Sequence, residues 1–219
     1  MTGWSAHSGL AVALDRENVD TDQLIPARFM STPRSEGYGD FLLHDMRTGN
    51  DGSPIAAFPL NAVPDASILI SRRNFGSGSS REAAVYALVD FGIRVVIAPS
   101  FGDIFASNSV NNGLLPARVS EAEVDAAIAM LADGAKEVTV DLTDKRIRFG
   151  NTTLEFTLDD VWQQKLMNGW DDIDLTQNHK QAISVFRAQH VLGTPWAIPV
   201  QQTNFRSAGR DTVSQYHRP

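Results

Sequence analysis

Residues 66–98 run ASILIS, RRNFGSGSS, REAAVYALVDF and GIRVVIA. Ala66 to Ser71 is a short apolar run with a polar boundary, the pattern of a buried strand. Arg72 to Ser80 is rich in glycine and serine. The residues from about Ser80 to Phe91 favour a helix, Gly92 is placed to stop it, and Arg94 to Ala98 reads as the next strand. Strand, glycine-rich turn, helix, strand is the grammar of a parallel βαβ crossover, so the fold class is α/β.

The turn also carries chemistry. Gly76 and Gly78 let the backbone bend tightly and approach a ligand. The hydroxyls of Ser79 and Ser80 and the guanidinium of Arg81 follow as the expected helix begins. Free N–H groups at a helix start attract anions, and an arginine grips a carboxylate with two parallel bonds. The segment is arranged for a carboxylate or a phosphate. It is not a Walker loop, which needs Lys and then Ser or Thr where Ser79-Ser80-Arg81 stand. It is not a dinucleotide turn either, because Arg81 occupies the place of the third glycine. The plain alternative makes Ser79 or Ser80 a helix cap and the glycines an ordinary turn. Arg81 weighs against it.

Working outward, the chain has 219 residues, a length that suits one large domain or two very small ones. Hydrophobic residues make up 42% and charged residues 21%, which excludes disorder throughout. Cysteine is absent. That excludes a disulfide scaffold, a thiolate nucleophile, a zinc ribbon and an iron–sulfur cluster ligated from this chain. The net charge of -7 argues against duplex nucleic acid or an anionic membrane surface as partner. Residues 1–7 lack the basic and apolar regions of a signal peptide, and no apolar run has membrane-spanning length, so the expected location is cytoplasmic. The histidines (His7, His44, His179, His190 and His217) show no metal-ligand spacing, and no metal site is expected.

Elsewhere, Leu10 to Leu14 reads as a strand. Residues 31–65 hold so many prolines and glycines that long loops with short inserted elements are expected. A helix is expected from Phe101 to Asn108, closed by Asn111-Asn112-Gly113. Ser120 with Glu123 forms a capping box opening a helix through Leu131. Val138–Leu142 and Arg146–Phe149 flank Thr143-Asp144-Lys145 as a hairpin, Thr152–Phe156 adds a strand, and Leu158–Asn168 a helix. The domain is expected to cover residues 1–190. Residues 191–219, rich in Gly, Pro, Gln, Ser and Arg, read as an extension that is a flexible arm or a strap across a partner.

These blocks carry a resemblance. Asn74-Phe75-Gly76-x-Gly78-Ser79-Ser80-Arg81-Glu82, Val96 to Phe101, Asp103-Ile104-Phe105, Asn108-Ser109 and Asn112 to Pro116 follow in order. With Asn18-Val19-Asp20-Thr21-Asp22-Gln23-Leu24-Ile25-Pro26-Ala27-Arg28-Phe29 upstream, they closely resemble the small subunits of isopropylmalate isomerase (isopropylmalate dehydratase), in the aconitase superfamily. The resemblance spans about Gly9 to Gln189. It implies a swivelling β/β/α three-layer domain that closes over an active site held by a separate large subunit. That partner carries a [4Fe–4S] cluster, and this chain binds no cofactor. The implied reaction removes water from 2-isopropylmalate and returns it to give 3-isopropylmalate in leucine biosynthesis.

By motif match, Ser79 is the base that takes the proton, and Ser80 and Arg81 hold a substrate carboxylate. Gly76 and Gly78 support them. The substrate-selecting loop falls on Phe29, Met30, Ser31 and Thr32, where Phe29 and Met30 suit a branched aliphatic group. Arg28 is a further carboxylate-binding candidate. Asp20 and Asp22 either cap a helix, with Gln23 three residues after Asp20, or orient the Arg81 and Ser79 region. The sequence departs from many relatives at Ala83, where they have His, and at Ser77, where many bacterial ones have Cys. The departures leave open a paralogue acting on another 2-alkylmalate, such as a methylmalate or dimethylmalate hydro-lyase. A non-catalytic carboxylate-binding module is the reading from a different class.

Overall fold

The computed structural model describes residues 2–197. Its sheet has seven strands: β1 (Ala6–Leu14), β2 (Ala66–Ser71), β3 (Val95–Ala98), β4 (Leu115–Arg118), β5 (Lys136–Asp141), β6 (Arg146–Phe149) and β7 (Thr152–Glu155), in the order β4-β3-β2-β1-β5-β6-β7. The first four neighbours run parallel, with Leu69 opposite Val96 and Val12 opposite Leu69. From β1 through β5, β6 and β7 the pairing is antiparallel. Thr157 N donates to Arg118 O at 2.8 Å in an antiparallel bridge, so the two edges meet and the sheet curls on itself.

Alternation along the strands builds two cores. Val12, Leu69, Val96 and Ala98 pack with Ala84, Val85, Ala87 and Leu88 of α4 (Glu82–Phe91) and with Phe105 of α5 (Asp103–Asn111). On the other face, Ala11, Ile68, Ile70, Val95 and Ile97 pack with Ile147, Phe149 and Leu154 from β6 and β7 and with Val124 and Ala127 of α6 (Glu121–Met130). Helices, sheet and folded-over sheet give the β/β/α layering. Each fully buried Leu, Ile or Val contributes roughly 1.5–3 kcal/mol, and a polar substitution at Ile70 or Ile97 would lose that and bury an unpaired group.

The βαβ unit forms as expected. Gly92 ends α4 at φ +115°, its N–H bonding to Leu88 and Val89 carbonyls, and the Ser120–Glu123 capping box opens α6. The hairpin and the 66–71 strand also form as read. Other boundaries differ. β1 begins at Ala6 rather than Leu10, because polar Ser8 and neighbouring Gly9 are paired with Thr139 and Val138 of β5. β4 escaped the sequence reading because it is four residues long and includes Pro116. The helix expected from Phe101 starts at Asp103, since Phe101 is held in an extended bridge with Phe75. Residues 31–65 hold the expected short insertions, among them α2 (His44–Arg47) and α3 (Pro59–Ala62), and α1 (Thr21–Leu24) precedes them. After β7 come α7 (Asp160–Asn168) and α8 (Asp172–Gln177).

The described residues divide into two compact units, one ending at Asn178 and the other starting at His179. The first carries everything above. The second contains α9 (Lys180–Gly193) and a short 3-10 turn, Pro195–Ala197. The expected extension from residue 191 thus begins inside α9, and its residues 198–219 lie outside the described ones. Among the described residues, no helix is long and apolar enough to cross a membrane.

Candidate functional site

Parallel strands β2 and β3 end on the same edge of the sheet, and the loops leaving them meet there, where open α/β sheets bind ligands. The loop after β2 behaves as a short strand between two others. On one side Phe75 N donates to Ser100 O (3.1 Å), Gly102 N to Phe75 O (2.9 Å) and Asn74 N to the Ser100 hydroxyl (2.8 Å). On the other, Gly76 N donates to Val19 O (2.7 Å), Thr21 N to Ser77 O (2.9 Å) and the Thr21 hydroxyl to Ser79 O (3.0 Å). The loop is pinned from both flanks up to Ser79.

Its glycines have different reasons to be there. Gly76 sits at φ +71°, and a Cβ on it would lie 2.1 Å from Cγ of Phe105. Gly78, at φ +92°, has room for a Cβ, so backbone conformation alone selects it. Asn18 and Asn74 are also left-handed, at φ 54° and 60°, and are joined by Asn74 Nδ2 donating to Asn18 Oδ1 at 2.8 Å. Asparagine tolerates that conformation better than most residues. Beneath the loop the Phe75 ring is fully buried, edge-on to Phe101 and Phe105.

Ser79 and Ser80 are exposed, and among the described residues neither hydroxyl has an intramolecular hydrogen-bond partner. The helix starts at Glu82, not Ser80. Arg81 is its N-cap with no side-chain cap bond, so neither serine caps it. The cause is tertiary: Thr21 holds the Ser79 carbonyl, which also accepts from Arg81 N at 2.8 Å, and this turn precedes the helix. The uncapped first-turn N–H groups and the two hydroxyls are thus available to an anion. Arg81 is mostly covered and donates through Nη1 to Asp22 Oδ1. A guanidinium has five donors, and among the described residues this is its one side-chain contact.

Asp20 and Asp22 play the two parts the sequence left open. Asp20 caps α1 in a reciprocal box with Gln23, and Asp22 braces Arg81. Ala83 is 8% exposed and belongs to the core under α4. Ser77 is partly buried and bridged to Asp20.

The 28–32 segment is a 3-10 turn, Ala27–Phe29, and the residues after it. Among the described residues, Arg28 makes no hydrogen bond or ion pair with the glycine loop. Its Nη1 donates to Asp45 Oδ2 at 2.8 Å and its Nη2 to Asp45 Oδ1. That pairing, with help from His44, holds the Asp45 carboxyl down at about 2. Phe29 stacks on Phe41 at 4.3 Å, Met30 is 41% exposed, the Ser31 hydroxyl donates to Arg28 O, and Thr32 O accepts from the Tyr38 hydroxyl. α1 joins the glycine loop to the start of α2: Thr21 bonds the loop at one end, and Leu24 O accepts from Leu43 N at the other.

The histidines are dispersed. His7 shares a hydrogen bond with Ser67, and burial followed by the charge of Arg94 lowers its pKa. His44 lies on Asp45, and His179 and His190 lie in the second unit, while His217 is outside the described residues. Among the described residues, no three His, Asp or Glu side chains are grouped to hold a metal ion. Sequence reasoning missed Thr21, Ser100 and Phe105 as supports of the loop. The signal for Thr21 was its place between Asp20 and Asp22. Phe105 had none, because only the fold brings it over Gly76. It also missed Asn112, whose Nδ2 donates to Glu82 Oε1 at 2.8 Å beside Arg81.

Residues 1–122 match the model of the aconitase C-terminal domain family. A protein named 3-isopropylmalate dehydratase small subunit from Shouchella clausii is 46% identical over 182 residues, 82% of this chain and 92% of that one. Another of the same name from Shewanella baltica (strain OS185) is 45% identical over 195 residues, 86% of this chain and 97% of that one. The crystal structure of a 3-isopropylmalate dehydratase from Methanocaldococcus jannaschii aligns with a TM-score of 0.60 over 82% of this chain and 98% of that one. At 24% identity it speaks for the fold, the swivel-type β/β/α domain.

Proposed function

The chain belongs to the aconitase C-terminal domain family and, within it, to the 3-isopropylmalate dehydratase small subunits, and on that premise we propose that it is the swivelling half of a hydro-lyase. It works in the cytoplasm with a separate large subunit, isomerising 2-isopropylmalate to 3-isopropylmalate by loss and return of water in leucine biosynthesis. The observation that carries this is the pair of free hydroxyls, Ser79 and Ser80, beside an uncapped helix start and a braced Arg81.

The substrate is a small dicarboxylate. Arg81 and Ser80 hold one carboxylate, Arg81 through donors that Asp22 leaves unused, and Asp22 keeps the guanidinium aimed. Ser79 takes the proton from the carbon next to a carboxylate and returns one on rehydration. A serine hydroxyl is far too weak an acid to act so unaided. Arg81 and the first-turn N–H groups of α4 supply the positive potential that stabilises its alkoxide. Arg28 serves as a carboxylate ligand only by exchanging Asp45 for substrate. Phe29 and Met30 offer apolar surface to the alkyl group.

The family's [4Fe–4S] cluster does not fit this chain, which has no cysteine to ligate iron. The cluster belongs to the large subunit. A second reading, a hydro-lyase for a smaller 2-alkylmalate, is favoured by Ala83: an apolar residue packed in the core stands where many relatives carry an imidazole.

The test is reconstitution with a cluster-loaded large subunit of a 3-isopropylmalate dehydratase. Turnover of 3-isopropylmalate above that of methylmalate or dimethylmalate is expected. Preference for a smaller alkyl group would establish the second reading, and no turnover of any substrate would leave a carboxylate-binding module.

A further inference from the structure

We propose that Asp45 is a positioning residue that fixes the Phe29–Thr32 turn and thereby sets which alkyl group the enzyme accepts, an inference that rests on the substrate-selecting role proposed above for that turn. Arg28 directs two nitrogens onto the two oxygens of Asp45, the fork geometry that fixes a guanidinium in orientation as well as position. The guanidinium lies 4.5 Å from the centre of the Phe29 ring. Phe29 meets two more rings: Phe41 stacks on it nearly parallel, and His44 lies 4.9 Å away at a tilt. His44 Nδ1 is itself 3.1 Å from Asp45 Oδ1. Arg28, Phe29, His44 and Asp45 thus form one closed contact cycle, with Asp45 as its only acidic member.

The backbone explains how Asp45 comes to be there. Leu43, fully buried, sits at φ 51°, a left-handed conformation that a bulky side chain rarely takes. Its N–H donates to Leu24 O, and its carbonyl accepts from Met46 N and Arg47 N. The reversal at Leu43 starts α2 and delivers His44 and Asp45 onto the turn that follows α1. Beyond the cycle, Met30 stands exposed beside a fixed Phe29. A rigid ring next to a free thioether makes an apolar wall whose position depends on Arg28 and so on Asp45.

The experiment uses the reconstituted two-subunit enzyme with 3-isopropylmalate and its methyl analogue as substrates. Removing the charge in Asp45→Asn should lower kcat/KM for the isopropyl substrate about 10-fold, the size of a misfit of one or two methylenes in an apolar pocket. The loss should appear in KM, with kcat and the methyl analogue changed less than about twofold, and Asp45→Glu should recover part of it. Equal losses on both substrates, or none on either, would overturn the proposal. Phe29→Ala separates the two levels. If it shifts the isopropyl-to-methyl ratio while Asp45→Asn does not, the turn selects and Asp45 does not position it. If neither Phe29→Ala nor Met30→Ala moves that ratio, the selecting turn itself is wrongly placed.

Discussion

Gly76→Ala is the perturbation whose cost the structure defines most closely. The added methyl would sit 2.1 Å from Cγ of Phe105 and within 2.5 Å of both ring Cδ atoms, in a ring that is itself buried. Forcing a carbon into a packed aromatic costs ~1–3 kcal/mol, and holding alanine at φ +71° adds roughly 1–2. Stiffening of the unfolded chain returns ~0.4–1 kcal/mol, leaving a net loss of about 3. For a chain of this length each kcal/mol lowers Tm by about 2–4 °C, so a drop of about 6–12 °C is expected. Gly37→Ala is the control: its φ is +84° and no atom lies within 4 Å of the new carbon, so only the backbone cost of ~1 kcal/mol remains. Thermal melts of both variants, repeated with Gly76→Ala in a Phe105→Leu background, isolate the clash. If Gly76→Ala melts within about 2 °C of Gly37→Ala, or if Phe105→Leu leaves its cost unchanged, Phe105 does not close the loop from below and the packing argument fails.

Arg81→Lys keeps the charge but loses the planar fork, so kcat/KM of the reconstituted enzyme should fall at least ~100-fold, about 3 kcal/mol, with an unchanged melt; unaltered kinetics would remove Arg81 from the site. Asp45 titrates at about 2 in the folded chain, below its ordinary value of 3.8, so its stabilising contribution is present above about pH 4 and is lost as pH falls towards 2. Asp45→Asn should therefore flatten the melting curve against pH in that window, and an identical curve would mean that the Arg28 pair does not form in solution. Lys165 is buried, with Nζ on Asn111 and 2.6 Å from Asp172. Asp172→Asn should cost ~1–3 kcal/mol in chemical denaturation, whereas Lys165→Met, which removes the buried charge at similar volume, should be neutral or better; the reverse order would contradict the assignment.

The part of the fold visible in the sequence is the part that local forces decide. Ala66–Ser71 and Val95–Ala98 are unbroken apolar runs, Gly92 is left-handed wherever the chain goes next, and Ser120 reaches Glu123 within one turn. What stayed hidden depends on partners far along the chain. The start of α4 moved from Ser80 to Glu82 because Thr21, 58 residues away from Ser79, takes its carbonyl. Asp22 and Arg81 are 59 positions apart, and only the pinning of the loop beside α1 brings them together. β4 is a strand because β3 offers a neighbour, against the preference of Pro116. The Arg28–Asp45 fork needed the reversal at buried Leu43, and no rule of composition asks for a left-handed leucine.

Exchange of the substrate's α-proton with solvent separates the proposed roles most directly, Ser79 moving the proton and Ser80 binding. The serines are adjacent and neither caps α4, so replacing either by alanine should leave the melt nearly unchanged. In the reconstituted enzyme, Ser79→Ala should abolish both exchange and turnover while substrate affinity stays close to that of the parent. Ser80→Ala should weaken affinity and retain measurable exchange. Exchange that persists in Ser79→Ala, or two alanine variants that cannot be told apart, would rule out Ser79 as the base.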